Sequence, residues 1–250
     1  MRLIFFTLTA CCILSAPLRL SAQTSNNFLG WLAVIGTVKL DNKYSLHIEG
    51  DLRSTNEWQQ IQTILFRTAL NYKISSNQTV SLGYAYVSNA RAINGINGFF
   101  PEDRIYEQYS NYKYFSIHNH YISLRNRLRL EQRFIGQTVV ENNQLENDGF
   151  SFVQRFRYFI RAVVPFTQSP KKDFLKGSYF ALQNEIFVNI GNVSVVNGKF
   201  FDQNRAYFAF GYRFSPKNDT EIGYIYQFIS EKGTSKANNS IIQLATYFQL

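Results

Sequence analysis

The sequence predicts an all-β chain that forms a closed, antiparallel, up-and-down transmembrane β-barrel of about ten to twelve strands, with twelve favoured because bacterial single-chain barrels have even strand numbers. Three observations point there. Apolar and polar residues alternate with period two in run after run, so each strand has one greasy and one polar face. Aromatics make up 16% of the chain, nearly all Tyr and Phe, which suits a lipid-facing wall with interfacial girdles. Short turns also alternate with longer connections rich in Asn and Gly, as a barrel with short periplasmic turns and long outer loops requires. The slightly negative mean hydropathy fits this reading, because only alternate residues would meet lipid.

Residues 1–22 read as a secretory signal peptide. Arg2 supplies a basic start, Leu3 to Leu14 an apolar run, and Leu20-Ser21-Ala22 a small residue before a cut at Gln23. The run is too short, and too interrupted by Pro17 and Arg19, to span a bilayer at about 20 residues. Cys11 and Cys12 both fall in this segment. Leu8-Thr9-Ala10-Cys11 is similar to a lipidation motif, but Ile13 and Leu14 continue the apolar run past it, so a plain signal is the better reading. Residues 23–250 then form a single barrel domain without thiol chemistry, inserted by strands because no stretch could cross as a helix.

Along that domain the first strand is Trp31 to Leu40, with Leu32, Val34, Val38 and Leu40 on one face. Asp41-Asn42-Lys43 turns it into Tyr44 to Arg53, where Tyr44, Leu46, Ile48 and Leu52 oppose His47, Glu49, Asp51 and Arg53. Thr63 to Lys73 sets Ile64, Phe66, Leu70 and Tyr72 against Arg67, Asn71 and Lys73. Thr79 to Ser88 sets Val80, Leu82, Tyr84 and Tyr86 against small residues, and a long loop is expected from Asn89 to Asp103. Arg104 to Phe115 carries polar residues on both parities and does not declare its faces.

The strongest pattern follows. In Arg125 to Phe134, Arg125, Arg127, Arg129, Glu131 and Arg133 share one parity, and Leu124, Leu128, Leu130 and Phe134 the other. Phe150 to Phe166 repeats it, with Arg155, Arg157 and Arg161 against Phe152, Phe156, Tyr158, Ile160, Ala162 and Val164. Two neighbouring strands with an arginine face and an apolar face need lipid outside and a wet lumen inside. Tyr179 to Ile190, Arg205 to Phe214, Thr220 to Ile229 and Ser240 to Leu250 alternate likewise, and the last is similar to the terminal assembly signal of outer-membrane barrels. The strands found this way number eleven, and the connection at Thr167 to Gly177 is longer than the rhythm of turns allows.

The expected inward set is Glu49, Asp51, Arg53, Arg67, Arg127, Arg129, Glu131, Arg133, Arg155, Arg157, Arg161, Glu185, Arg205 and Glu221. Arginine outnumbers acid in it, and the whole chain carries a formal charge of +9. Such a lumen could concentrate anions, since guanidinium stays charged and grips carboxylate or phosphate with paired donors. The residues by themselves point rather to a closed lumen filled by an Arg/Glu network, because even a barrel that conducts nothing needs a polar, satisfied interior. Nucleic-acid binding is not expected, because alternation puts the rings and guanidinia of Arg155-Phe156-Arg157-Tyr158 on opposite faces. His118-Asn119-His120 lacks nearby ligands for a metal shell, and no cofactor fingerprint occurs. Ser45 and His47 share a face but are a weak cue for a lipid-modifying enzyme, and no catalytic site is read.

The residues also carry a family resemblance spread over most of the mature chain. Arg127, Arg129, Leu130, Glu131, Gln132, Arg133 and Phe134, then Asn184, Glu185 and Phe187, then Gln203, Asn204 and Arg205, then Gly223, Tyr224 and Gln227 fit motifs of a bacterial outer-membrane barrel family known only as domain of unknown function 2490. Glu102, Asp103, Arg104, Tyr106, Glu107 and Gln108 are similar to a further motif, with Asp in place of its His, Tyr in place of its Trp and Glu in place of its first Gln. The resemblance implies a Gram-negative outer-membrane barrel with no established activity. The expected role is a channel for small anions or acidic solutes, or a non-conducting structural or surface barrel. Its expected partners are outer-membrane lipid, lipopolysaccharide and the barrel-assembly machinery, around a monomer.

Overall fold

The computed structural model describes residues 23–117, 120–167 and 174–250. They form one closed barrel of eleven strands: β1 (Thr24–Lys39), β2 (Tyr44–Ser54), β3 (Ile61–Ser75), β4 (Gln78–Ile93), β5 (Ile96–Ile117), β6 (His120–Glu141), β7 (Gln144–Pro165), β8 (Gly177–Ile190), β9 (Phe201–Ser215), β10 (Asn218–Ser230) and β11 (Lys236–Gln249). The signal segment with Cys11 and Cys12 lies outside the described residues, as does His118.

Consecutive strands pair antiparallel, and the sheet closes where β1 meets β11 in parallel, from Thr24 opposite Lys236 to Thr37 opposite Gln249. An odd count requires this, because the first and eleventh strands of an up-and-down series run the same way. The favoured count of twelve is therefore corrected to eleven. With the ring shut, no edge is left among the described residues for a twelfth strand to pair with.

The turns near Asn42, Asn77 and Lys217 gather at one end, together with the carboxyl terminus. In the first of them the backbone N–H groups of Lys43 and Tyr44 donate to Asp41 Oδ1, both at 2.6 Å, and hold that carboxyl below the usual range.

At the other end the expected long loop from Asn89 to Asp103 is instead strand. β4 and β5 run on to a two-residue turn at Asn94 (φ 53°) and Gly95 (φ 81°), and β6 and β7 meet at Asn142 (φ 48°) and Asn143 (φ 61°). Both central residues of such a turn need positive φ, which Asn and Gly tolerate best. β5, β6 and β7 are each 22 residues long. Their extensions carry no alternation because they project past their neighbours, where neither lipid nor packed lumen imposes one.

The outer wall is apolar. Leu32, Phe66, Leu82, Phe152, Leu182, Phe208 and Ile222 are about half exposed or more, all on the parity read as greasy. Rings from adjacent strands pair across it, as in Tyr44 with Tyr72 and Phe134 with Phe152. In β5 polar groups do face outward: Tyr84 donates to Asp103, and Gln132 Nε2 donates to Glu107 at 2.9 Å. That is why its sequence showed no clean parity.

Inside, tyrosines lie flat against glycines of neighbouring strands. A Cβ on Gly83 would strike the Tyr106 ring, one on Gly211 the Tyr179 ring, and one on Gly223 the Tyr207 ring. Gly83→Val is expected to destabilise the barrel by about 1–3 kcal/mol through overpacking. Urea unfolding in lipid vesicles would check this, and an unchanged midpoint would show that Tyr106 can move aside.

Candidate functional site

The barrel interior is two-sided. Strands β8 to β11 and β1 contribute an apolar cluster of Leu29, Trp31, Tyr179, Ala181, Tyr207, Ala209, Ile225 and Ile241. Strands β2 to β7 contribute most of the charge, joined by Glu185 of β8, Asp202 and Arg205 of β9 and Glu221 of β10. Side chains alternate, so on β6 Arg127, Arg129, Glu131 and Arg133 all point inward.

Cross-strand register then lines up the charges. Tyr106, Glu131 and Arg155 form one row across β5, β6 and β7, while Gln108, Arg129 and Arg157 form the next. Glu131 is 1% exposed and is the hub. Arg155 donates to its Oε2 from Nε at 3.0 Å and Nη2 at 2.7 Å, and Arg157 donates from Nη1 to Oε1 at 2.5 Å. Arg157 also donates from Nε to Glu185 Oε1 at 3.0 Å, and Arg127 reaches the same oxygen across β7 at 2.7 Å. Arg155 Nη1 continues the network to Asp202 at 3.0 Å.

Two further clusters flank the hub. Arg104 and Arg133 share Glu102 at 2.7 and 2.6 Å. On the other side Glu221, also 1% exposed, accepts from Arg161, from Tyr179 at 2.8 Å, from Tyr207 at 3.3 Å and from Tyr247 at 3.2 Å. Arg67 is paired with Glu49, and Arg53 with Asp51 at 2.7 Å. Buried ions of this kind are tolerable only when paired, because removing charge from water is costly.

Arg205 is different. No carboxylate lies within 4 Å of it among the described residues; its Nε donates to Gln203 at 3.2 Å and its guanidinium lies over Trp31 and Phe187. Arg53 lies over the same Trp31 ring at 4.3 Å.

Of the inward set read from sequence, every member lines the central cavity except Glu131, which sits beneath its arginines. The cavity has a volume of about 1720 Å³ and is lined by residues from both ends of the barrel. Lys43, Asn77 and Lys217 line it at the turn end, and Arg91, Asn197 and Lys232 at the opposite mouth. Sequence reasoning missed Glu102, Arg104 and Asp202 as lumen groups. Glu102 and Arg104 belong to β5, whose faces were undecided. Asp202 is the extra residue of a β-bulge, where the register of β8 with β9 shifts between Phe187 and Val188, so parity could not have placed it inside.

The Ser45 hydroxyl accepts from Asn71 Nδ2 at 3.2 Å, while His47 Nε2 bonds to Glu49 at 3.1 Å, so the two do not form a nucleophile and base pair. No group of three or more His, Cys, Asp or Glu among the described residues could hold a metal ion.

No curated protein matches the sequence. A solved structure described as "NanC porin structure in rhombohedral crystal form" is similar at a TM-score of 0.47 and 14% identity, covering 86% of this chain and 90% of that one. The family model described as "Protein of unknown function (DUF2490)" matches residues 28–238, and the chain belongs to that family.

Proposed function

We propose that this protein is an outer-membrane channel that passes small anions or acidic solutes through its arginine-biased lumen. The observation that carries the reading is a lumen cavity lined from one mouth to the other and crossed at its middle by more guanidinium than carboxylate. A ring of fixed positive charge in a narrow, partly desolvated passage attracts anions and repels cations. The apolar outer wall supports insertion in a bilayer, and the amino-terminal segment read as an export signal supports the outer membrane, with lipid and lipopolysaccharide around a monomer placed by the barrel-assembly machinery. The interior is read as having no catalytic role.

One observation favours a second reading, that of a closed structural or surface-interaction barrel. Glu131, Glu221, Arg129, Arg155 and Arg157 are packed to a few per cent exposure, so the middle of the lumen is tight. Current across a planar lipid bilayer holding the folded protein decides. A steady single-channel current supports the channel; its absence in protein shown to be folded supports the closed barrel.

A further inference from the structure

The geometry points to a built binding site for one small oxyanion in the middle of the lumen, formed by Arg67 of β3 with Arg127 and Arg129 of β6. The inference rests on the reading of the lumen as an anion pathway and gives that pathway a resting place for its solute.

Arg129 is 2% exposed and Arg67 4%. Both guanidinia lie over the ring of Tyr106, at 4.3 and 5.9 Å from its centroid, so the two side chains share one aromatic neighbour. Arg129 lies within electrostatic reach of Arg127, Arg67 and Arg157 together. Like charges crowded in a buried place require an opposite charge among them. The neighbouring carboxylates are already committed: Glu49 to Arg67 and His47, Glu185 to Arg127 and Arg157, and Glu131 to Arg155 and Arg157.

The donors left over mark the place. Arg129 Nε and Nη2 donate to Gln108 Oε1 at 2.9 and 2.6 Å, but its Nη1 is buried with no hydrogen bond, and the closest carboxylate oxygen, on Glu131, is 3.7 Å away. Arg67 Nε and Arg127 Nε are also buried without an acceptor. Nε of Arg53 and of Arg125 is buried without an acceptor as well, but Arg67, Arg127 and Arg129 are the three that also feel one another's charge, and a buried unmade bond is expensive to leave. A carboxylate or phosphate oxygen pair would satisfy them, since guanidinium donors match that geometry and single-atom anions do not.

Isothermal titration of the folded, detergent-solubilised barrel with inorganic phosphate tests this. One saturable phosphate per barrel is expected, displaced by acetate and poorly by chloride. Arg129→Met should weaken it by about tenfold or more, whereas Lys113→Gln, which removes a charge from the outer wall, should not. Should Arg129→Met fail to fold, Arg129→Lys keeps the charge without the forked donors and should still weaken binding by about threefold to tenfold. No saturable binding by folded wild type, unchanged affinity in the Arg129 variants, or equal competition by chloride would overturn the site. Saturable binding in a barrel that carries no current would support the site and end the channel reading, while current without saturable binding would keep the channel and overturn the site.

Discussion

Replacing Glu131 by glutamine is expected to destabilise the barrel by about 3–5 kcal/mol, the usual cost of removing one partner from a buried ionic cluster. The change conserves shape but leaves Arg155 and Arg157 without the carboxylate that accepts three of their hydrogen bonds. Burial makes the loss large: Glu131 is 1% exposed, and although Arg155 keeps Asp202 and Arg157 keeps Glu185, two guanidinia are then left with less negative charge around them. Asp219→Asn serves as the comparison. Its pairing with Arg213 at 2.7 Å is near the turn end and partly exposed, and its loss should cost about 1 kcal/mol or less. Urea unfolding of both variants in lipid vesicles measures the difference. Equal and small effects would mean that water reaches Glu131 and that the central network is loose.

The second large effect is expected on the outside. Leu82 is 60% exposed, in the middle of the outward run of Val80, Leu82, Tyr84 and Tyr86 on β4. In a bilayer Leu82→Arg should cost about 2–4 kcal/mol, as arginine does near the midplane of a barrel's lipid face. If the outer wall met water instead, an exposed substitution of this kind would change stability by about 0.5 kcal/mol or less. The same vesicle unfolding measurement distinguishes the two environments.

Most of the wall was legible in the sequence because the two environments impose period two. The greasy parity of β2, β3, β4, β8, β9 and β10 is the exposed parity of the structure, and Arg127, Arg129 and Arg133 point inward as their spacing indicates. What escaped did so where that constraint lapses. The β4–β5 and β6–β7 hairpins extend past the barrel body, so their residues lost the alternation that would have marked them as strand. Asp103 and Glu107 face outward on β5 and blurred its pattern. The alternation itself counted eleven strands, and twelve was favoured only because bacterial barrels have even numbers; the parallel pairing of β1 with β11 is how this chain closes with an odd one. Partners were also beyond reach. Alternation places Arg161 and Glu221 on inward faces, but only the curvature of the barrel brings β7 and β10 close enough for them to bond.

The lumen as an anion pathway is tested most directly by the reversal potential of the reconstituted barrel under a potassium chloride gradient, measured for wild type and for Arg205→Met. Arg205 is the lumen arginine without a carboxylate within 4 Å that lies over Trp31, so its charge is not cancelled locally. The expected result is a reversal potential displaced toward the chloride equilibrium value in wild type and closer to zero in the variant. A potential near zero in wild type, or one displaced toward potassium, would contradict the assignment of the lumen to anions.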